Sequence, residues 1–318
     1  MRLRRAGRAS VLAVAASLLV APSPPRSQGG ATFDSFWHDG KAELDGYRYS
    51  VTRYGEPRRG SCVMIFVTEP FSESKRVKAD DASRNPRDTF DALKLNLVRD
   101  FQTGIYDYDT MVSTFVRSAN FEPVKIAFTS AEWCGQVYEE LRVEQDQITG
   151  EFRSYFEDQS WVGSIDRPRG GVTEDELFIA LRGLRGDFLR PGERRRVPFL
   201  PSAFHRRLTH APLRWSSAVI QRLSKGVRVA TPAGTFQTIV YIVRPDGGRE
   251  GRVHIERAYP HRVVRWEWKL AKPGAGPLAA DGNDAGVLTG SARLEYWKLQ
   301  GNGHERYLKQ LGLKPPAP

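Results

Sequence analysis

"YRYSVTRYGEPRRGSCVMIFVTEPF", residues 47–71, decides the fold class. Tyr47, Tyr49 and Val51 alternate with Arg48, Ser50 and Thr52, the period of two that marks a strand with one face buried. "EPRRG" (56–60) reads as a reversal, and "SCVMIFVTEPF" (61–71) returns as a more fully buried strand, so the stretch predicts a hairpin.

Similar segments recur along the chain. In the first half they are "TFDALKLNLVRDF" (89–101), "IYDYDTMVSTFVR" (105–117), "EPVKIAFTS" (122–130) and "ITGEFRSYFED" (148–158). In the second half they are "GVRVATPAGTFQTIVYIVRP" (226–245), "GRVHIERAYPHRVVRWEWKL" (251–270) and "VLTGSARLEYWKL" (287–299), rich in β-branched and aromatic residues. The predicted fold is mainly β, built from large curved antiparallel sheets of open-barrel-like form with one or two helices. It divides into an N-terminal lobe (31–165) and a C-terminal lobe (166–318), or runs as one continuous sheet system. "DRPRGGVT" (166–173) is the linker candidate, and 271–286, rich in Gly, Pro and Ala, is a second loop. Thr173 with Glu176 forms a capping box, and Leu177, Ile179, Leu181 and Leu184 follow at helical spacing, which predicts a helix over 174–185. "HERYLKQLGL" (304–313) predicts a short terminal helix.

The first thirty residues read as a secretory signal peptide and exit linker. Arg2, Arg4, Arg5 and Arg8 precede an apolar run, Val11 to Val20, too short to span a bilayer, and a polar Pro- and Gly-containing stretch follows. The expected product is periplasmic or secreted. Residues 1–30 hold five of the 48 basic residues and none of the 37 acids, so removal lowers the net charge from +11 to +6. That balance favours acidic envelope partners, while dispersed arginines without an aromatic-interleaved stripe exclude nucleic acid as the expected ligand.

Chemical handles are few. Trp133-Cys134-Gly135 resembles the opening of a dithiol redox motif, but Val137 stands where the resolving thiol belongs. Cys134 is then half of a bridge to Cys62, a buried thiol, or a reactive one; a bridge would close a loop of about 70 residues and contribute roughly 3–5 kcal/mol. Asp107 and Asp109 share a strand face, and Asp100 can lie across a hairpin turned near Thr103-Gly104, so the carboxylates could act on one substrate. Arg99, Gln102, Tyr106, Tyr108 and Trp133 add hydrogen-bonding and stacking capacity to that neighbourhood, making a ligand-binding candidate. Tyr241, Tyr259, Trp266, Trp268, Tyr296 and Trp297 could line the inner face of a curved sheet. The six histidines are scattered without metal spacing, and His205 and His210, with Arg206 and Arg207 between them, read as surface residues. No serine-hydrolase elbow, dinucleotide fingerprint or phosphate loop occurs, so no cofactor is expected.

At "LKLNLVRDFQTGIYDYDTMVSTF" (93–115), "AEWCGQVYEEL" (131–141) and "ATPAGTFQTIVY" (230–241) the chain resembles a family of exported bacterial β-rich proteins, a periplasmic domain-of-unknown-function family with an AGTF-type strand. The resemblance spans about residues 35–300. Some members carry the label septum formation inhibitor Maf, but true Maf proteins are nucleotide pyrophosphatases with an N-terminal Ser-Pro-Arg-Arg motif. Here Ser23-Pro24-Pro25-Arg26 belongs to the exit region of the signal. The resemblance implies export and a β-rich fold, and supplies no catalytic residues. The leading expectation is a non-enzymatic envelope protein holding a lipid-like or glycan ligand on a curved sheet. A carboxylate-dependent hydrolase using Asp107, Asp109 or Glu132, with Cys134 nearby, is the alternative. A structural protein docking through "RPGERRRVP" (190–198) is the third.

Overall fold

The computed structural model describes residues 28–270 and 281–314, so the expected signal segment lies almost wholly outside the described residues, as do residues 271–280 of the second loop. Sixteen strands are present among the described residues. The first eight are β1 (Ala42–Arg53), β2 (Glu56–Ser72), β3 (Thr89–Thr103), β4 (Tyr106–Arg117), β5 (Pro123–Glu132), β6 (Gly135–Val143), β7 (Gln147–Ser154) and β8 (Trp161–Asp166). The others are β9 (Val172–Thr173), β10 (Arg194–Leu200), β11 (Ser216–Arg222), β12 (Val227–Thr231), β13 (Gly234–Pro245), β14 (Arg249–Glu256), β15 (Val263–Leu270) and β16 (Asp284–Leu294). Three α-helices accompany them: α1 (Gln28–Trp37), α2 (Leu177–Ala180) and α3 (Ala203–Thr209).

All sixteen strands belong to one sheet. Within β1 to β8 each neighbouring pair in sequence is paired in the sheet, and the second half forms its own run from β9 to β16, with β12 paired to β13 off the main path. The two runs join where β1 pairs β16 antiparallel, so the halves expected as lobes share a continuous hydrogen-bonded ladder. Only β9 with β10 is parallel, and the sheet does not close into a barrel. Its inward faces share one hydrophobic cluster that draws on both halves, including Tyr49, Phe101, Phe128, Phe199, Phe204, Val253 and Trp266.

The opening hairpin forms as the alternation requires, with a different turn. Tyr54 (φ 57) and Gly55 (φ 75) both sit in the left-handed region, the conformation that matches the twist of a two-residue hairpin. "EPRRG" therefore belongs to β2 rather than to the reversal. A tyrosine is an unusual occupant of that region. The Asp281 carboxylate holds it there, accepting hydrogen bonds from the backbone N–H of Tyr54 (3.0 Å) and of Gly55 (2.9 Å).

The capping box at Thr173 and Glu176 is present, but it opens a 3-10 turn (Glu174–Glu176) followed by the single α-turn of α2, shorter than the helix expected over 174–185. The tail forms a 3-10 helix, His304–Leu311, across the outer face of β1 and β16. Gly46 and Gly290, paired across those strands, make that approach possible: a Cβ on Gly46 would stand 2.1 Å from the Leu311 carbonyl oxygen, and one on Gly290 2.3 Å from that of Gln310.

Candidate functional site

The acidic stretch singled out in the sequence is split between two faces of the sheet. In the β3–β4 hairpin Asp100 faces Asp109 and Gln102 faces Asp107 across the ladder. Burial alternates along both strands, so Asp100, Gln102, Asp107 and Asp109 point outward while Arg99, Phe101, Tyr106 and Tyr108 point inward. Residues one position apart on a strand cannot converge on one ligand. Glu132, at the inner end of β5, is on the face opposite Asp107 and Asp109, so the proposed hydrolytic set does not assemble. Outside, burial and the neighbouring Asp107 and Asp109 carboxylates raise the pKa of Asp100. No group of three or more His, Cys, Asp or Glu side chains suited to a metal occurs among the described residues. Inside, Arg99 is deeply buried, 3.7 Å from Asp284 and with its guanidinium 4.2 Å from the Phe204 ring centre, a member of the core rather than of a surface site.

The cysteines lie apart. Cys62 is buried on β2, where burial pushes its thiol pKa up to about 12; Cys134 is exposed in the β5–β6 turn, and both thiols are free. Cys62 pairs across to Arg99 on β3, three strands from β6, a separation of at least about 14 Å at ordinary strand spacing. A bridge needs Cα atoms within about 7 Å. Of the second-half aromatics, Tyr241, Trp266 and Trp268 are buried in the shared core and Tyr259 packs against it, whereas Tyr296 packs on the outer-face cluster and Trp297 is exposed.

A different constellation occupies the inner face at the end of the sheet where β1 turns into β2. The Tyr54 and Tyr108 hydroxyls lie 2.7 Å apart, and the Tyr106 hydroxyl donates to that of Tyr54 at 3.1 Å. Arg53 donates to Tyr108, to the Leu208 carbonyl (3.2 Å) and to the Asp281 carboxylate (3.1 Å). Burial and bonds to Glu132 and Tyr54 drive the Tyr108 pKa upward, and the bond to Tyr54 brings that of Tyr106 to about 12, so both remain neutral donors.

A cleft of about 460 Å³ lies between β7–β8 and the segment 203–213 that contains α3. Phe152, Trp161 and Ile165 on β7–β8 and Leu213 on the α3 segment supply its apolar lining. The polar side chains are Glu139, the cross-strand neighbour of Phe152, with Arg206, Arg207 and His210, and Asp158 and Gln159 at the β7–β8 loop. Of the two histidines expected on the surface, His210 is exposed and His205 is half-buried, while the arginines between them are both buried. Arg206 pairs with Glu139 on β6, and Arg207 with Glu132 on β5, its guanidinium also lying 4.6 Å from the Phe156 ring centre. His210 is held below its usual pKa by burial and by Arg207 and Arg53, and is neutral at pH 7. Ser202 caps α3, accepting from the backbone N–H of His205 at 3.0 Å, while the Glu174 and Asp175 carboxylates accept from the N–H groups of Ser202 and Ala203. Negative charge at a helix N-terminus is favourable. These bonds fix the helix that carries the arginine pair. The result is a preformed cleft of mixed lining whose buried arginines are matched from within.

No family model, no curated protein and no solved structure matches this chain.

Proposed function

We propose that this is a non-enzymatic extracytoplasmic protein whose cleft between β7–β8 and α3 holds a lipid-like amphiphile with an uncharged or zwitterionic head. The observation that carries this reading is the internal pairing of the cleft's charges, Arg206 with Glu139 and Arg207 with Glu132, beside the apolar side chains of Phe152, Trp161 and Leu213. Matched ion pairs offer hydrogen bonds without a net charge, which suits a neutral polar head, while the apolar lining suits hydrocarbon. The volume lies within the range of small-ligand pockets, roughly 300–1,000 Å³. The signal-like segment 1–30 supports export to the periplasm or beyond.

Native mass spectrometry of protein purified from its own envelope tests this. The expected result is a co-purifying amphiphile that Trp161→Ala, on the cleft wall, no longer retains. Repeated recovery of empty protein, or displacement by a soluble neutral oligosaccharide but not by lipid, would overturn it.

A further inference from the structure

Three of the most exposed large apolar side chains stand at one end of the sheet. In the β1–β8 meander every second turn falls at the same end, so the β1–β2, β3–β4, β5–β6 and β7–β8 connections share one rim. Ile105 (81 % exposed) tips the second turn, Trp133 (71 %) the third and Tyr155 (74 %) the fourth, with Tyr54 (40 %) at the first. Adjacent tips are two strands apart, about 10 Å. Turn chemistry does not ask for these residues, since tight turns favour Gly, Asn, Asp, Ser and Pro. The opposite rim is polar where β6 turns into β7, at Glu144, Gln145 and Asp146, and its most exposed large apolar residue is Val77, at 46 %. The asymmetry is therefore a property of one end, the end onto which the cleft's Asp158 and Gln159 open.

We propose that this rim docks on a zwitterionic lipid surface, inserting Ile105, Trp133 and Tyr155 into the headgroup–acyl boundary. Side chains spaced singly along an arc leave gaps that a fluid interface fills but a rigid protein partner would have to match pit for pit. Trp and Tyr are the side chains that settle at membrane–water interfaces. Charge selects the lipid. None of the four tips carries Lys or Arg; of the flanking charges, Arg58 is paired with Glu56 and Arg153 with Glu151, which leaves Asp107, Glu157 and Asp158, so anionic headgroups are not attracted while the outer ammonium of a zwitterionic headgroup is. The docking stands independently of what the cleft holds, because Ile105, Trp133 and Tyr155 are not among the residues that line it.

Flotation of the full chain with vesicles of phosphatidylcholine, and of phosphatidylcholine with an equal share of phosphatidylglycerol, tests the proposal. The variant is Ile105→Ser with Trp133→Ser; Tyr155 is left in place because its ring packs over Gly135. The apolar run at 11–20 can itself partition, so the reading is the difference between the two chains. An environment-sensitive fluorophore on the exposed Cys134, beside Trp133, adds a local reading. Expected are binding to phosphatidylcholine that added anionic lipid does not strengthen and about 0.5 M salt does not abolish, a blue shift of the probe, and more than about tenfold weaker partitioning of the variant at unchanged circular dichroism. Equal partitioning of the two chains, no probe shift, or binding that requires anionic lipid overturns it. So does a tip-dependent dimer found by sedimentation without vesicles.

Discussion

Arg207, which lines the cleft, and Glu132 are 75 residues apart in the chain, nearly buried, and joined to each other. Replacing Arg207 with Met keeps the length of the side chain and its contact with Phe156, but leaves the Glu132 carboxylate buried opposite the Tyr108 hydroxyl without a cation. Breaking a buried pair from one side costs about 3–5 kcal/mol, because an uncompensated charge is left behind. For a chain of this size that is roughly 5–8 °C in melting temperature. Glu132→Leu, which strands the guanidinium instead, is expected to cost a similar amount. The double variant removes both charges together and returns to within about 2 kcal/mol of the parent, since a buried pair and a well-packed apolar replacement are commonly of similar stability. Urea unfolding of the four proteins, followed by far-ultraviolet circular dichroism, completes the cycle. The coupling energy should exceed about 2 kcal/mol; single variants within about 0.5 kcal/mol of the parent, or strictly additive effects, would falsify the account of the pair as a buried, mutually neutralising unit.

Two further predictions concern groups away from the cleft. Burial raises the pKa of Asp175 to about 7 against an ordinary 3.8, so between those values the folded chain holds a proton that the unfolded chain has lost. Its contribution therefore weakens stability as pH rises through that window. Asp175→Asn, which keeps an acceptor for the Ala203 N–H, should be more stable than the parent near pH 8, the gain shrinking towards about pH 4; a gain independent of pH refutes the assignment. Under native conditions a maleimide should modify Cys134 alone, with Cys62 reacting only on unfolding and intact mass showing two thiols. Modification of neither cysteine without reductant points to a bridge and refutes the separation of the two thiols.

Much of the strand content was legible because alternation is local: Tyr47, Tyr49 and Val51 announce their face within a few residues. The same logic, carried one step further, separates Arg99 from Asp100 and Tyr106 from Asp107. The split of the acidic stretch was thus available from its periodicity. The buried arginines were not. Arg206 and Arg207 look like solvent-facing cations until Glu139 and Glu132 are placed beside them, and those partners lie 67 and 75 residues away in the chain. The β1–β2 turn was misplaced for a related reason: what holds Tyr54 in a left-handed conformation is Asp281, at the far end of the chain. The helix α3, seven residues long and set by carboxylates at 174 and 175, has too little periodicity of its own to be seen.

The pairing of β1 with β16 has a consequence for how the molecule is made. The second strand of a hairpin normally follows its partner within moments of synthesis, but the outer edge of β1 waits for residues 284–294. Until then the N-terminal meander presents twelve residues of open edge, rich in aromatic and apolar side chains, the kind of edge on which chains aggregate. A ribosome stalled short of β16, or a protease that trims it, would release a product that is well ordered over its first eight strands and yet adhesive. Quality control for this protein is therefore a question about its last strand.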